Sequence, residues 1–225
     1  REAARTAEDH GYRLRYLRGD GPPDGWLGKS YALDRAAREA EGSHFLFLDA
    51  DARLRDSEAL GRIAGTVRGW GSDRVLTGFP RLVGGGSLLT SLVPFTVLTM
   101  LPWPLVEATD RPALASLNGQ CWMIEAETYR RLRPHRAVRA TALEDVAIGR
   151  HLKARGVIPR MVDLTGEVDV RMYESLPEAW RGFRKNAYLL AGGRVWSAVL
   201  TAVFFALTFL IAPVLNPRLI PVAWG

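Results

Sequence analysis

The sequence holds a single cysteine, Cys121. One thiol cannot build a disulfide framework, so a small scaffold stapled by bridges is excluded. Cys121 lies among apolar residues and reads as a buried thiol in reducing surroundings. Runs of one charge are also missing. Lys and Arg total 30 against 24 acids, for a net charge of +6 and a pI near 9.9. That balance favours acidic partners, such as nucleotide phosphates or anionic lipid. The basic residues are scattered without interleaved aromatics, which argues against a nucleic-acid reader, and no nucleic-acid partner is expected. The opening residues show no leader pattern.

With 225 residues, 48% of them hydrophobic, the chain can bury one sizeable core. Arg1 to His10 reads as the end of an amphipathic helix and Tyr12 to Leu17 as a strand. A helix feeding a strand implies an earlier strand, so the expectation is an N-terminally truncated domain whose first βα portion precedes Arg1. Asp20 to Gly28 is a loop rich in Gly, Pro and Asp. Leu33, Ala36, Ala37 and Ala40 recur at helical spacing, which predicts a helix over Ser30 to Glu41. The run Phe45-Leu46-Phe47-Leu48 reads as a buried strand, Ser57 to Trp70 as a helix and Arg74 to Pro80 as a strand. Cys121 to Ile124 reads as a strand and Ala126 to Leu132 as a short helix. A helix opening at Thr141 runs to Gly156, and Val157 to Val162 is a further strand. The alternation predicts an α/β domain with a mostly parallel central sheet, whose ligands bind beyond the carboxyl ends of its strands.

Two long uncharged stretches stand out. Ser87 to Val106 is interrupted by Pro94, Pro102 and Pro104, which argues for a broken segment at a membrane interface, or a core helix and loop, rather than a clean span. Val195 to Leu215 is long and pure enough to read as a transmembrane helix. Arg181, Arg184, Lys185 and Arg194 precede it, which places the globular part, 1–194, on the cytoplasmic side of the cell membrane, with 216–225 as a tail.

The chemistry gathers around acids. If the chain stays extended past Leu48, Asp49 and Asp51 project to one side. Two like charges placed together call for a cation, and hard oxygen ligands suit Mg²⁺ or Mn²⁺. A strand end capped by two solvated acids is the plainer alternative. Gly28-Lys29-Ser30 looks like the end of a P-loop, but Pro23 stands where the first glycine is required and no apolar strand leads in, so that motif is rejected. A lysine at a helix N-terminus still makes an anion site. Thr141 and Glu144 fit a capping box, which gives Glu144 a structural duty and leaves Asp145 free to act as a general base. Phe45 to Asp51 also resembles the nucleophile strand of haloacid-dehalogenase-type phosphatases, with Gly19 to Asp24 like their late acidic motif. The order of the two is reversed here, and Arg53 replaces the expected Thr or Val.

Gly25-Trp26-Leu27-Gly28-Lys29, Phe47-Leu48-Asp49-Ala50-Asp51, Asn118-Gly119-Gln120 and Leu143-Glu144-Asp145, continued by Arg171-Met172-Tyr173 and Gly182-Phe183-Arg184-Lys185-Asn186, together resemble the family 2 glycosyltransferases of the GT-A fold. The likeness is best to the membrane-associated branch of carotenoid (hydroxychlorobactene-type) and hopanoid-associated enzymes. It implies an inverting transfer of a sugar from a nucleotide-diphosphate donor, such as a UDP-sugar, to a membrane lipid acceptor. It implies that Asp51 holds the metal, that Asp49 assists the metal or contacts the ribose, and that Lys29 and Trp26 lie in the donor site. Asn118, Gly119 and Gln120 would border the sugar or acceptor pocket. Asp145 would be the catalytic base, with Glu144 beside it. Processive relatives carry Gln-x-x-Arg-Trp near the membrane; Ala179-Trp180-Arg181-Gly182-Phe183 lacks the glutamine, which implies single transfer. A polyprenyl-phosphate or polysaccharide acceptor, and a non-catalytic membrane scaffold, are the alternatives.

Overall fold

The computed structural model describes residues 14–85, 90, 101, 103–182 and 194–207. The chain divides into two compact units, Arg1–Val83 with Val93–Arg171, and Gly84–Leu92 with Met172–Gly225.

In the first unit five strands form one sheet: β1 (His44–Leu48), β2 (Ala52–Leu54), β3 (Arg74–Leu82), β4 (Cys121–Glu125) and β5 (Ile158–Val170), in the spatial order β1-β4-β3-β5-β2. Strand β4 lies antiparallel between β1 and β3, β2 is antiparallel to β5, and only β3 and β5 pair directly in parallel. The sheet is therefore mixed, not mostly parallel as the helix–strand alternation suggests. Apolar periodicity is the same in either strand direction, so it cannot reveal the reversal of β4. Strands β1, β3 and β5 nevertheless share one direction, which brings the end of β1 beside the start of β4. Residues 14–17 form no strand, contrary to expectation. An isolated extended segment has no ladder to satisfy its backbone. It runs along the first helix instead, where the Arg15 guanidinium donates to the Glu39 carboxylate at 3.0 Å.

Helices α1 (Gly28–Glu39), α2 (Ala59–Val67), α3 (Trp103–Ala108), α4 (Ala126–Leu132), α5 (Pro134–Ala137) and α6 (Glu144–Lys153) complete the unit. The core joins Phe45 and Phe47 of β1 to Trp122 and Ile124 of β4 and to Ile148 and Leu152 of α6. Phe47 stacks on Trp122 with centroids 4.2 Å apart. Beneath them the Tyr129 hydroxyl and His135 Nδ1 are 2.7 Å apart, and burial, with a smaller repulsion from Lys29, pulls the imidazole down to about 3, so His135 is neutral. Each fully buried large apolar side chain contributes about 1.5–3 kcal/mol, whereas an exposed ion pair contributes about 0–1 kcal/mol. The apolar layer thus holds β1 and α6 in place, and the charged groups above it can be altered without unfolding the chain. Cys121 is fully buried and burial pushes its thiol up to about 12, so it is inert.

In the second unit the helix α7 (Val195–Phe205) leaves Val195, Trp196, Val199, Leu200, Val203 and Phe204 exposed. Its 11 residues cover about the first half of the span expected over Val195 to Leu215. Among the described residues no helix is long and apolar enough to cross a membrane, so the span expected over 195–215 is not seen; 208–225 lie outside the described residues. Most of the expected interface segment, 87–89, 91–100 and 102, also lies outside them, as do 1–13 and 183–193.

Candidate active site

The site forms where β1 ends. The strand does not stay extended past Leu48. The Ala52 N–H donates to the Asp49 carbonyl at 3.0 Å, which closes a tight turn over Asp49-Ala50-Asp51-Ala52. The two carboxylates are therefore neighbours through a turn, not through strand alternation. The turn is pinned on both sides. The Asp49 N–H donates to the Gln120 carbonyl at 3.2 Å, and the Arg171 N–H donates to the Asp51 carbonyl at 3.1 Å. Burial raises the pKa of Asp51, and the nearby charge of Asp49 adds to the rise.

Lys29 is the second residue of α1, within its first turn. A cation at a helix N-terminus is disfavoured by about 0.3–1 kcal/mol, so its placement there needs compensation. Two acids supply it: Lys29 Nζ lies 2.8 Å from Asp49 Oδ1 and 2.8 Å from Glu144 Oε1. Burial opposes the charge on Lys29, but the hydrogen bonds to Asp49 and Glu144 together hold its pKa above the ordinary lysine value. The ammonium that the sequence places at an anion site is thus engaged by two carboxylates.

Glu144 and Asp145 open α6, where the helix dipole favours acids. The expected capping box is absent. The cap residue is Leu143, without a side-chain cap bond, so Glu144 is the first helical residue rather than the third and cannot reach back to Thr141. Its carboxylate goes to Lys29 instead. Asp145 Oδ1 accepts from the Val146 N–H at 2.8 Å. Burial raises its pKa; the Val146 N–H pulls it down and the charge of Glu144 pushes it further up.

The Asn118-Gly119-Gln120 turn joins the two acidic groups. Asn118 donates its backbone N–H to Thr77 Oγ1 at 2.6 Å and its amide to the Gly78 carbonyl at 2.8 Å, and its Oδ1 accepts from the Gln120 N–H at 3.1 Å. Asn118 builds the turn; its amide is not turned to a ligand. Gln120 then meets Asp49 through its carbonyl, while a Cβ on Gly119 would stand 3.3 Å from Asp145 Oδ2. A side chain there would crowd Asp145, which would have to give by a few tenths of an ångström. Trp26 is half-buried and packs edge-on against Tyr31, with centroids 5.7 Å apart. The structure thus brings Lys29, Asp49, Glu144, Gly119 and Asp145 together around one point, with Asp51 on the same turn as Asp49.

Among the described residues no three His, Cys, Asp or Glu converge as a metal cluster. Asp49 and Asp51 share one turn, and Mg²⁺ commonly takes only one or two carboxylates and completes its shell with phosphate oxygens and water. Sequence reasoning missed a pocket on the far side of the turn. It has a volume of about 430 Å³ and is lined by Asp51, Arg53, Arg55, Asp169 and Arg171, among others. In the sequence Arg53 stands out only as a departure from the phosphatase pattern.

No family model matches the chain, and no curated protein matches it. Among solved structures it is similar to mannosyl-3-phosphoglycerate synthase from Rubrobacter xylanophilus, at 18% identity and a TM-score of 0.42, over 91% of this chain and 59% of that one. The chain spans about three fifths of that protein's length. A likeness at this level carries no argument about activity, so the functional reading rests on the site.

Proposed function

We propose that this chain carries the catalytic site of a glycosyltransferase that uses a nucleotide-diphosphate sugar, with UDP as the nucleotide. The observation that supports it is the bridge of Lys29 between Asp49 and Glu144, which gathers both acidic motifs, from β1 and α6, at the carboxyl end of a sheet strand. Asp51 and Asp49 would hold a divalent cation. When bound, that cation supplies charge neutralisation to the departing diphosphate.

Asp145 has the properties of the base. Burial raises its pKa from the ordinary carboxylate value, and it makes no ion pair with Lys29 among the described residues. It takes the proton of the acceptor hydroxyl as the new bond forms at the anomeric carbon and the bond to the diphosphate breaks with its electron pair. The attack comes from the face opposite the leaving group and inverts the carbon. Glu144 holds Lys29 and thereby fixes Asp49.

The acceptor is a membrane lipid. The exposed apolar residues of α7 and the uncharged sequence that continues beyond it support contact with a bilayer. A carotenoid or hopanoid hydroxyl and a polyprenyl phosphate are the two acceptor chemistries this allows.

Calorimetric titration of UDP, with and without Mn²⁺, tests the donor site. Metal-dependent binding that Asp51→Ala abolishes is the expected result. Absence of UDP binding to the folded wild-type chain would sink the reading.

A further inference from the structure

Lys153 is the last residue of α6, and it is only 2% exposed. Burying an ammonium is costly unless its donors are used. Among the described residues no carboxylate pairs with it. Two backbone carbonyls do: Nζ donates to Val106 at 2.5 Å and to Leu114 at 3.0 Å. Both acceptors stand at helix ends. Val106 belongs to the last turn of α3, and Leu114 closes the 3₁₀ turn Pro112–Leu114. Carbonyls at such ends lack a partner in their own helix and form the negative end of its dipole, so a cation suits them. The neighbouring Leu105 carbonyl is served by Thr109 Oγ1 at 2.7 Å. Burial pulls the pKa of Lys153 down, and the charge of Asp110 opposes the fall. An apolar side chain in its place would leave two carbonyls unpaired.

Asp145, Gly149 and Lys153 follow one another at four-residue intervals, so they form one stripe along α6. Each meets the segment that leads from Val106 to the Asn118 turn. Lys153 holds Val106 and Leu114. A Cβ on Gly149 would meet the Ser116 backbone carbons at 2.8 Å and the Leu117 nitrogen at 3.0 Å. A Cβ on Gly119 would stand 3.3 Å from the Cβ of Asp145. The contacts thus advance from Leu114 to Gly119 as they climb the helix from Lys153 to Asp145, over about 12 Å. Gly149 lets the two backbones approach but supplies no side-chain bond. The directional bonds at the foot of the stripe come from Lys153.

We propose that Lys153 is a positioning residue for Asp145: by holding the Val106 and Leu114 carbonyls it fixes the register of α6 against the segment that ends in the Asn118-Gly119-Gln120 turn. The base and the turn then keep one relative placement although Lys153 touches neither. A hydrogen bond to a charged donor is stronger than one to a neutral donor, which suits a register that must hold across two helical turns. That Asp145 acts as the base rests on the glycosyltransferase reading; the hold of Lys153 on the segment does not.

The test compares amide hydrogen exchange, residue by residue, in wild type and Lys153→Met, which keeps an unbranched stem and loses the donors. The Asn118, Gln120 and Val146 amides, all bonded within the site, should exchange about tenfold faster or more, while Phe47 of β1 and Leu76 of β3 stay protected. Unchanged exchange at the site, or equal acceleration across the sheet, would overturn the proposal. Should Lys153→Met fail to fold, Lys153→Gln, which keeps a shorter neutral donor, should accelerate the same three amides by a smaller factor; the same two outcomes would overturn it. Kinetics supply the second arm, read as UDP release from UDP-glucose with Mn²⁺. Lys153→Met should lower kcat about 100-fold with KM unmoved, and should cost little further in an Asp145→Asn background. Equal losses in both backgrounds would show a role that does not pass through Asp145. A folded wild type that binds no UDP sinks the donor reading, and the exchange arm then decides the role of Lys153 by itself, so the two failures are distinguishable.

Discussion

Lys29 Nζ stands 2.8 Å from Glu144 Oε1 and so ties the first turn of α1 to the first residue of α6. The same ammonium holds Asp49. A single side chain therefore sets the relative position of two acidic motifs that are far apart in sequence.

Lys29→Met removes both bridges. The lysine side chain is 46% exposed, so solvent screens the pairs and the stability loss is at most about 1 kcal/mol. Activity falls much further, by about 100-fold, because displacement of positioned groups by about 1 Å costs that much. Thermal unfolding and steady-state kinetics separate the two effects. The raised lysine pKa fixes the sign of the pH dependence. The stabilisation is fully present below the unfolded lysine value of about 10.4 and is lost as pH rises through the folded value. Wild type and Lys29→Met should converge in stability under strongly alkaline conditions.

Asp145→Asn removes the proposed base and should lower kcat by about 10²–10⁴-fold while UDP binding stays intact. The substitution should also stabilise the chain slightly at neutral pH. The folded pKa of Asp145 is raised, so the native state holds the proton more tightly than the unfolded state. Its contribution favours folding when protonated and declines as pH rises from the unfolded value, about 3.9, through the folded one. Asparagine avoids that decline. Melting temperatures measured across the acid-to-neutral range check it: a mutant less stable than wild type at neutral pH would contradict the burial argument.

Gly149→Ala tests how closely α6 is held to the segment before the Asn118 turn. An added Cβ would meet the Ser116 backbone carbons at 2.8 Å. Crowding against backbone costs about 1–3 kcal/mol, more than the roughly 1 kcal/mol that alanine gains over glycine in a helix. Gly61→Ala in α2 is the control, since its added Cβ would meet nothing within 4 Å. Denaturant titration should show Gly149→Ala destabilised and Gly61→Ala stabilised.

Much of the fold is legible in the sequence. Ala126–Leu132 is a helix with the expected bounds, and β1 and β4 fall where apolar runs place them, because burial imposes its pattern locally. Strand β5 runs on to Val170, well past the expected Val162, since β2 provides a partner for Val168 to Val170 that no local signal announces. The capping box at Thr141 fits as a motif and fails in the structure because α6 begins at Glu144. A capping motif states only that two side chains can meet, and here Lys29 offers Glu144 a stronger partner.

The sequence by itself determined which chemical groups are present: the acids Asp49, Asp51, Glu144 and Asp145, a lysine at a helix start, and the Asn118-Gly119-Gln120 turn. It also determined that apolar runs would become strands and helices, since local periodicity decides which face each element buries. Tertiary structure decided which groups meet. The reversed strand β4 sets Gln120 against Asp49, and Gly119 against Asp145. The register of β2, β3 and β5 stacks Arg53, Asp169 and Arg81 on one face. Strand order and register arise from contacts between distant segments, and a pattern read along one segment carries no information about its partner.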